Sequence, residues 1–346
     1  MLTMKAARFY EPHQPLRVES VPVPELGPDE VLVAVRTCGM CGSDVHFWEG
    51  SLPLARTPLI LGHEPAGVVT RVGEAVQGWS EGDRVAVKGG LSCGACDFCR
   101  SGRHVLCAQA QVLGVHTDGA FAEYLKVKPA MLMRLPDHVP FEQGAIISDA
   151  LATPFHALTG RGHLAPGESV AVFGCGGLGI HAVQLARLCG AATIIAVDIR
   201  PAALERARRV GADIVIDASR EEPYPRILEL TGGVDLAVEC IGQAETVRQA
   251  ARSLRRGGRA VVVGLGPERL QLFQVNMLAF WEISLIGSFG SAGDECERLL
   301  ALVASGRLDL SESISVRLPL AEVNRGLEIL RDKVDDPVRV IIEPAA

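Results

Sequence analysis

The first part of the chain alternates short apolar segments with turn-forming clusters. Residues 30–36 and 67–72 are strand-sized runs, and residues 21–28 form one of the Pro- and Gly-rich clusters that separate such runs. The same pattern extends from residue 16 to residue 128. It predicts a mostly β region built from short strands.

The pattern changes near residue 153. Apolar runs at 169–173 and 193–197 flank a segment, 178–189, whose apolar positions recur with helical periodicity. This order predicts a βαβ unit. The alternation continues with a helix-like segment at 201–210 and with further strand-like runs at 214–216, 236–240, 260–264 and 283–286.

Strands that alternate with helices and are apolar on both faces indicate a parallel sheet covered by helices. After residue 290, a helix-like segment at 294–305 leads into 308–344, where we expect irregular strand and turn structure. The sequence therefore predicts an α/β protein. Residues 153–290 are expected to form this parallel-sheet domain, inserted into a mostly β domain of residues 1–152 and 291–346.

The composition is that of a globular protein with small-molecule partners. The 346 residues are 48% hydrophobic and 22% charged, which is enough for two domains with substantial cores. The net charge of -7 offers no basic field for nucleic acid. Residues 1–15 hold no long apolar segment and later apolar runs are short, so we expect a cytoplasmic protein without membrane contact. Its ten cysteines should be reduced, and clustered ones should hold metal.

A glycine-rich turn follows the apolar run at 169–173. It reads GxGxxG and comprises Gly174, Gly176, Gly177, Leu178 and Gly179. Such glycines permit a tight turn, close backbone approach to a pyrophosphate and close contact of helix and strand. Asp198 ends the next strand, where a carboxylate accepts hydrogen bonds from the adenosine ribose and repels a 2′-phosphate. We therefore expect NAD rather than NADP, although Arg200 could hold a phosphate if Asp198 turned away. The alternative is a glycine turn without a cofactor.

Four cysteines form a CxxCxxCx7C cluster in a loop-like segment. They are Cys93, Cys96, Cys99 and Cys107. Four thiolates make a closed tetrahedral shell, which is typical of structural zinc. An iron–sulfur cluster or a set of free thiols is the alternative. The ferredoxin pattern places its fourth cysteine after three residues and follows it with Pro, whereas here Ala108 follows Cys107.

Several further strings occur in an order that resembles a known family. They are Cys-Gly-Ser-Asp-Val-His at 41–46, Gly-His-Glu-Pro-Ala-Gly at 62–67, Gly-Asp-Arg-Val at 82–85 and Gly-Ala-Phe-Ala-Glu-Tyr at 119–124. Together with the cysteine loop and the glycine turn, they resemble the zinc-containing medium-chain dehydrogenase/reductase family of alcohol and polyol dehydrogenases. The resemblance implies a GroES-like catalytic domain with an inserted Rossmann domain.

The resemblance also implies a catalytic zinc. Cys41 and His63 match two of the family's ligands, and Asp149 lies in the segment that supplies the third, where several members have a cysteine. Glu64 matches a neighbouring glutamate that either lies beside the ligands or binds the ion when substrate is absent, so it is a conditional ligand. One thiolate, one imidazole and one carboxylate leave a coordination position open, as a catalytic zinc requires. The ion would act as a Lewis acid towards an alcohol.

Further roles follow from the same resemblance. Ser43 matches the hydroxyl that contacts the reacting oxygen, and His46 matches the outer member of a proton relay. Asp44 would hydrogen-bond a ligating histidine. Trp48 would narrow the substrate pocket, and Arg339 would reach the cofactor pyrophosphate. Read singly, each side chain could equally belong to a turn, the core or the surface.

These predictions describe a zinc-dependent oxidoreductase that transfers a hydride between an alcohol, or the matching aldehyde or ketone, and NAD. Two zinc ions per subunit are expected, one catalytic and one structural. A polyol or amino-alcohol dehydrogenase is the alternative. A zinc-free quinone or enoyl reductase and a non-enzymatic nucleotide-binding protein are less favoured. Family members usually pair through edge strands, here near 283–286, so we expect a homodimer or homotetramer.

Overall fold

The computed structural model describes residues 2–271 and 274–344. Contacts divide the chain into two compact units. The first comprises Met1–Asp149 and Ala292–Ala346, and the second comprises Ala150–Ser291. No described helix is both long and apolar enough to cross a membrane.

The first unit begins with short strands. They are β1 (Thr3–Phe9), β2 (Arg17–Pro22), β3 (Val31–Met40), β4 (Leu59–Ile60), β5 (Glu64–Val72), β6 (Arg84–Val87), β7 (Gly90–Leu91), β8 (Gln111–Val112), β9 (Tyr124–Val127) and β10 (Leu132–Arg134). The helices between and after them are α1 (Gly42–Trp48), α2 (Asp97–Arg100) and α3 (Phe141–Ala145). Single 3-10 turns cover His104–Leu106, Pro129–Met131 and Ile146–Ser148.

The second unit alternates helices with strands. Its helices are α4 (Ala152–Phe155), which continues as a π-helical turn at His156–Arg161, α5 (Gly179–Leu188), α6 (Pro201–Arg209), α7 (Pro223–Thr231), α8 (Ala244–Arg252) and α9 (Val275–Phe280). Its strands are β11 (Ser169–Phe173), β12 (Thr193–Asp198), β13 (Ile214–Asp217), β14 (Val234–Glu239), β15 (Leu254–Val262) and β16 (Ser284–Gly287). All neighbouring strands pair in parallel, in the order β13-β12-β11-β14-β15-β16.

This sheet is the doubly wound Rossmann arrangement that the sequence predicts. The central strands β11, β12 and β14 are buried almost throughout, because helices cover both faces of a parallel sheet. The order reverses between β11 and β14, so their carboxyl ends form the switch point at which such sheets bind ligands. Phe173 at the end of β11 is level with Val197 of β12 and Glu239 of β14.

The chain then returns to the first unit. The returning elements are α10 (Glu295–Ala304), β17 (Ile314–Pro319), α11 (Val323–Asp332) and β18 (Arg339–Glu343), with 3-10 turns at Ser311–Ser313 and Leu320–Glu322. β18 enters the largest sheet of this unit between β17 and β3, in the order β10-β6-β5-β3-β18-β17, and β9 also pairs with β3. A smaller sheet has the order β2-β1-β4, and β7 pairs with β8.

The expectation of irregular structure across 308–344 is wrong for α11. Val323, Leu327 and Leu330 are buried on one face of this helix at helical spacing. Gly326 in its interior lowers the intrinsic helix propensity and hides the pattern in the sequence. The glycine is accommodated because it packs against Met40 of β3, where a Cβ would lie 3.0 Å from Met40 Cε.

Candidate active site

The cysteine loop brings four sulfur atoms together around α2. Cys93, Cys96, Cys99 and Cys107 each place Sγ within 4.8 Å of the others. Cys99 Sγ lies 3.5 Å from Cys96 Sγ and 3.8 Å from Cys93 Sγ. Sulfur atoms at about 2.3 Å from a tetrahedral zinc are about 3.8 Å apart, so the spacing matches the ion. Backbone N–H groups of Ala95 and Cys96 lower the pKa of the Cys93 thiol to about 6, which favours the thiolate that zinc requires.

A second cluster combines three kinds of donor. Cys41 stands at the N-cap of α1, His63 directly precedes β5, and Asp149 follows the 3-10 turn at Ile146–Ser148. One ligand atom of each lies within 4.8 Å of the other two. His63 Nε2 and Asp149 Oδ2 are 3.9 Å apart. A thiolate, an imidazole and a carboxylate at this spacing form an open three-ligand set.

Asp44 orients the imidazole of this cluster. Its Oδ2 accepts a hydrogen bond from the Cys41 backbone N–H at 2.9 Å, and its Oδ1 lies 3.6 Å from His63 Nδ1. The carboxylate therefore faces Nδ1 and leaves Nε2 on the side of Asp149. Burial opposes protonation of His63, but the charges of Asp44 and Cys41 raise its pKa well above the ordinary value. This buried site attracts positive charge.

Glu64 and Arg339 form a buried ion pair beside the cluster. Glu64 is fully buried, and Arg339 Nη2 lies 2.8 Å from its Oε1 and 3.4 Å from Asp149 Oδ2. Burial raises the pKa of Glu64 above its ordinary value, and the charge of the Arg339 guanidinium opposes that shift and so stabilises the ionised carboxylate of the pair. Gly39 makes room for this carboxylate, since a Cβ there would lie 2.0 Å from Glu64 Oε2. Binding of the cofactor pyrophosphate by Arg339 stays a prediction. The sequence did not indicate the contacts of its guanidinium with Glu64 and Asp149.

The glycine turn joins β11 to α5 with little space to spare. Gly174 has φ +87°, and a Cβ there would lie 2.5 Å from Ile241 Cγ1. A Cβ on Gly179 would lie 1.6 Å from the Gly174 carbonyl oxygen. At Gly176 the nearest atom to such a Cβ is Arg200 Nη2, at 3.8 Å. The turn is therefore closed on its inner side and open at Gly176, the glycine expected to approach a pyrophosphate.

Asp198 is buried at the end of β12 and is 6% exposed. Its Oδ2 accepts the Cys175 backbone N–H at 2.7 Å, and its Oδ1 accepts the Arg200 backbone N–H at 2.9 Å. The guanidinium of Arg200 folds over the same carboxylate, with Nε 3.2 Å from Oδ1 and Nη2 3.2 Å from Oδ2. The contact with the predicted ribose stays a prediction, because the oxygens are engaged within the protein.

Glu239 is a residue that sequence reasoning missed. It is fully buried at the end of β14, and its Oε1 accepts hydrogen bonds from Ile241 N, Gly242 N and Thr246 Oγ1, each at 2.8 Å. These bonds hold the loop whose Ile241 side chain packs against Gly174. No motif marks the residue. A carboxylate directly at the end of a buried strand, with a glycine three residues later at Gly242, is the signal that could have found it.

The chain matches two family models that cover most of its length. One is described as an alcohol dehydrogenase GroES-like domain, at residues 27–137, and the other as a zinc-binding dehydrogenase, at residues 177–305. The chain is 34% identical over 347 aligned positions to a sorbitol dehydrogenase of Bacillus subtilis strain 168, covering 99% of this chain and 97% of the relative. The chain belongs to the zinc-dependent medium-chain dehydrogenase/reductase family. The resemblance inferred from the sequence is confirmed.

Two further proteins are similar to this dehydrogenase. An alcohol dehydrogenase of Geobacillus stearothermophilus is 36% identical over 323 residues, covering 93% of this chain and 94% of the relative. The crystal structure of a putative zinc-binding dehydrogenase from Sinorhizobium meliloti 1021, bound to NADP, superposes with a TM-score of 0.90 at 33% identity. It covers 99% of this chain and all of that one. The GroES-like and Rossmann fold predicted for the dehydrogenase is also confirmed.

Both donor sets of the dehydrogenase fit zinc. The four sulfur atoms have tetrahedral spacing, and the mixed set is lined by acids that a cation would neutralise. Among the described residues, His63 Nδ1 and Asp44 Oδ1 have no hydrogen-bond partner within 3.5 Å, although they face each other at 3.6 Å. A metal ion on Nε2 would place the imidazole proton on Nδ1, where Asp44 can accept it.

The remaining predicted residues of the dehydrogenase lie on α1. Ser43 Oγ is 3.4 Å from His63 Nε2, beside the mixed donor set. His46 Nδ1 is 3.1 Å from the hydroxyl of Ser51, a partner that the sequence did not indicate. Trp48 is buried, and its Nε1–H donates to the Gln14 carbonyl at 2.9 Å. The proton relay and the substrate-pocket role of Trp48 stay predictions.

Proposed function

We propose that this dehydrogenase oxidises an alcohol, or reduces the matching aldehyde or ketone, by hydride transfer to or from NAD. The observation that carries the proposal is the cluster of Cys41, His63 and Asp149, whose three different donor atoms lie within 4.8 Å of one another. Ser43 lies beside it, 3.4 Å from His63 Nε2. Zinc held by these residues supplies Lewis acidity, which lowers the pKa of an alcohol hydroxyl.

Ser43 receives the substrate proton in this proposal. A serine hydroxyl has one donor hydrogen and two acceptor lone pairs, so it can accept from the alcohol while donating onward. Asp44 keeps the His63 ring in place, with Nε2 directed away from the carboxylate. The chain therefore provides a hydrogen-bonding partner for the alcohol hydroxyl next to the metal site.

His46 is proposed as the outer member of the relay, and its ring nitrogen Nε2 accepts the proton. The Ser51 hydroxyl donates to the His46 backbone carbonyl at 3.2 Å, so its oxygen accepts from His46 Nδ1–H at 3.1 Å. This assignment places the ring hydrogen on Nδ1 and leaves Nε2 as the acceptor. A half-buried imidazole in this tautomer can exchange protons with solvent.

The nicotinamide cofactor is proposed to be NAD. The support is the glycine turn at the switch point of a parallel sheet and the carboxylate of Asp198 at the end of the following strand. Two zinc ions per chain are proposed, one in each donor set. The free thiols of the chain fit a reducing compartment, which supports a cytoplasmic location.

A homodimer or homotetramer is proposed from the exposed apolar side chains near β16. This strand ends the order of described strands in its sheet, and Val275, Phe280 and Phe289 are 82%, 78% and 60% exposed. Edge strands with nearby apolar surface are suited to pairing with a second copy. Light scattering that finds a stable monomer at micromolar concentration would contradict this assignment.

A panel of substrates tests the proposed function. Simple primary and secondary alcohols, polyols and amino alcohols are offered with NAD, and formation of NADH is followed by absorbance. The similarity to a sorbitol dehydrogenase over nearly the whole chain favours a polyol as the second candidate substrate. We expect Cys41→Ser to lose turnover and about half of the bound zinc. Cys189→Ser, outside both donor sets, should keep both. Full activity in Cys41→Ser, or in zinc-free protein, would refute the mechanism.

A further inference from the structure

The carboxylate of Asp198 has no acceptor capacity left for a ribose. An ionised carboxylate offers about four lone-pair sites. Two backbone N–H groups, from Cys175 and Arg200, and two N–H groups of the Arg200 guanidinium fill them at 2.7 to 3.2 Å. The side chain is 5% exposed. A ribose diol can therefore bind Asp198 only by displacing Arg200.

The negative charge at this position is also neutralised. Asp198 and Arg200 neutralise each other as an ion pair. The guanidinium of Arg200, at 3.2 Å from both carboxylate oxygens, therefore offsets the repulsion that an isolated aspartate exerts on a 2′-phosphate.

Arg200 also lies where the cofactor is expected. Its Nη2 is the atom nearest to the Cβ position of Gly176, at 3.8 Å, on the open side of the glycine turn. The guanidinium is 26% exposed, whereas Asp198 lies beneath it. An incoming adenosine ribose meets the arginine before it meets the carboxylate.

We propose that Arg200 masks Asp198 and binds the adenosine 2′-phosphate, so that the enzyme uses NADP as well as NAD. The inference rests on the proposed function, because it concerns the cofactor of the same reaction. A similar structure bound to NADP, at 33% identity, is in keeping with it. The presence of an aspartate at the end of β12 is then no reliable mark of NAD selectivity in this chain.

Binding of NADH and NADPH to the holoenzyme, followed by nucleotide fluorescence without substrate, tests the proposal. For the wild-type enzyme, the dissociation constants of NADH and NADPH should agree within about tenfold. Arg200→Ala should bind NADPH about 10- to 100-fold more weakly than wild type, because the variant loses a charge-assisted hydrogen bond to the phosphate. NADH binding should change less than about threefold, because the exposed Asp198 oxygens then accept from the ribose. Arg220→Ala removes the same charge from an 82% exposed side chain in this unit and should leave both nucleotides unaffected.

Two results would overturn the inference. One is a wild-type preference for NADH of about 1,000-fold or more, and the other is an Arg200→Ala variant that weakens both nucleotides equally. Competition with adenosine 2′,5′-bisphosphate and 5′-AMP on wild-type enzyme needs no variant, and the bisphosphate should compete at least as well. Tight NADH binding without NADPH binding contradicts this inference alone, whereas binding of neither nucleotide contradicts the proposed function.

Discussion

Substitution of Glu239 tests whether the hydrogen bonds of this carboxylate keep the loop beside the glycine turn in place. In Glu239→Ala, the backbone N–H groups of Ile241 and Gly242 lose their acceptor at Oε1, and the Thr246 hydroxyl keeps only the Gln243 carbonyl as an acceptor. At about 1 kcal/mol for each hydrogen bond, the variant should lose about 3 kcal/mol of unfolding free energy. The loop that packs against Gly174 is then released, so NADH affinity should fall about tenfold or more.

Glu239→Gln is the matched control. Its amide oxygen can accept the same three hydrogen bonds, so the loss of unfolding free energy should stay below about 1 kcal/mol. Among the described residues, Oε2 of Glu239 has no hydrogen-bond partner, so the amide nitrogen can take its place. Urea unfolding and NADH titration measure both variants. If the alanine variant matches wild type, or the glutamine variant is equally damaged, the reasoning fails.

The comparison of wild type with Glu239→Gln should also reveal a dependence of the unfolding free energy on pH. Burial raises the pKa of Glu239 above 4.5, although hydrogen bonds from Gly242, Thr246 and Ile241 lower it. A raised folded-state pKa means that the stability gained from the protonated carboxyl is fully present below pH 4.5 and is lost as pH rises through the folded value. As the pH rises from 4.5 through the folded-state pKa of Glu239, wild type should therefore lose unfolding free energy relative to Glu239→Gln. A pH-independent difference would contradict the assignment.

Three further changes test other parts of the molecule. Cys99→Ser should remove one zinc ion per chain and lower the melting temperature, as metal analysis and calorimetry can show; unchanged zinc content would contradict the four-sulfur site. Arg339→Met leaves the buried Glu64 unpaired and should cost about 3–5 kcal/mol in urea unfolding, with much of it recovered by adding Glu64→Gln; simple additivity would argue against the pair. Gly179→Ala should abolish NADH binding, since its Cβ would overlap the Gly174 carbonyl oxygen, and retained affinity would contradict the geometry of the turn.

The sequence predicted most of what depends on local spacing. The CxxCxxCx7C pattern of Cys93 to Cys107 fixes which sulfur atoms can meet, and they do meet. The apolar runs around the Gly174 turn predicted β11, α5 and β12 within a few residues, because buried parallel strands and an amphipathic helix have distinct periods. Helix α11 was missed because an interior glycine masks a short pattern.

Contacts between distant residues could not be predicted in this way. Nothing near Arg339 in the sequence indicates that its guanidinium lies against Glu64, since the pairing of β18 with β3 brings them together. The fold of Arg200 over Asp198 is a local contact, but it depends on a side-chain rotamer that residue types do not specify. Glu239 belongs to no motif, and its role follows only from the loop it holds.

The place of β18 has a consequence for how the protein matures. This strand, at Arg339–Glu343, lies between β17 and β3 in a sheet whose members other than β17 were synthesised hundreds of residues earlier. Domains tend to fold as their segments leave the ribosome, and distant pairings form slowly. Residues 150–291 are contiguous in sequence, whereas the pairing of Glu64 with Arg339 can form only after β18 has been synthesised. Loss of a dozen residues from this end would remove β18 and leave the buried carboxylate of Glu64 without its Arg339 partner.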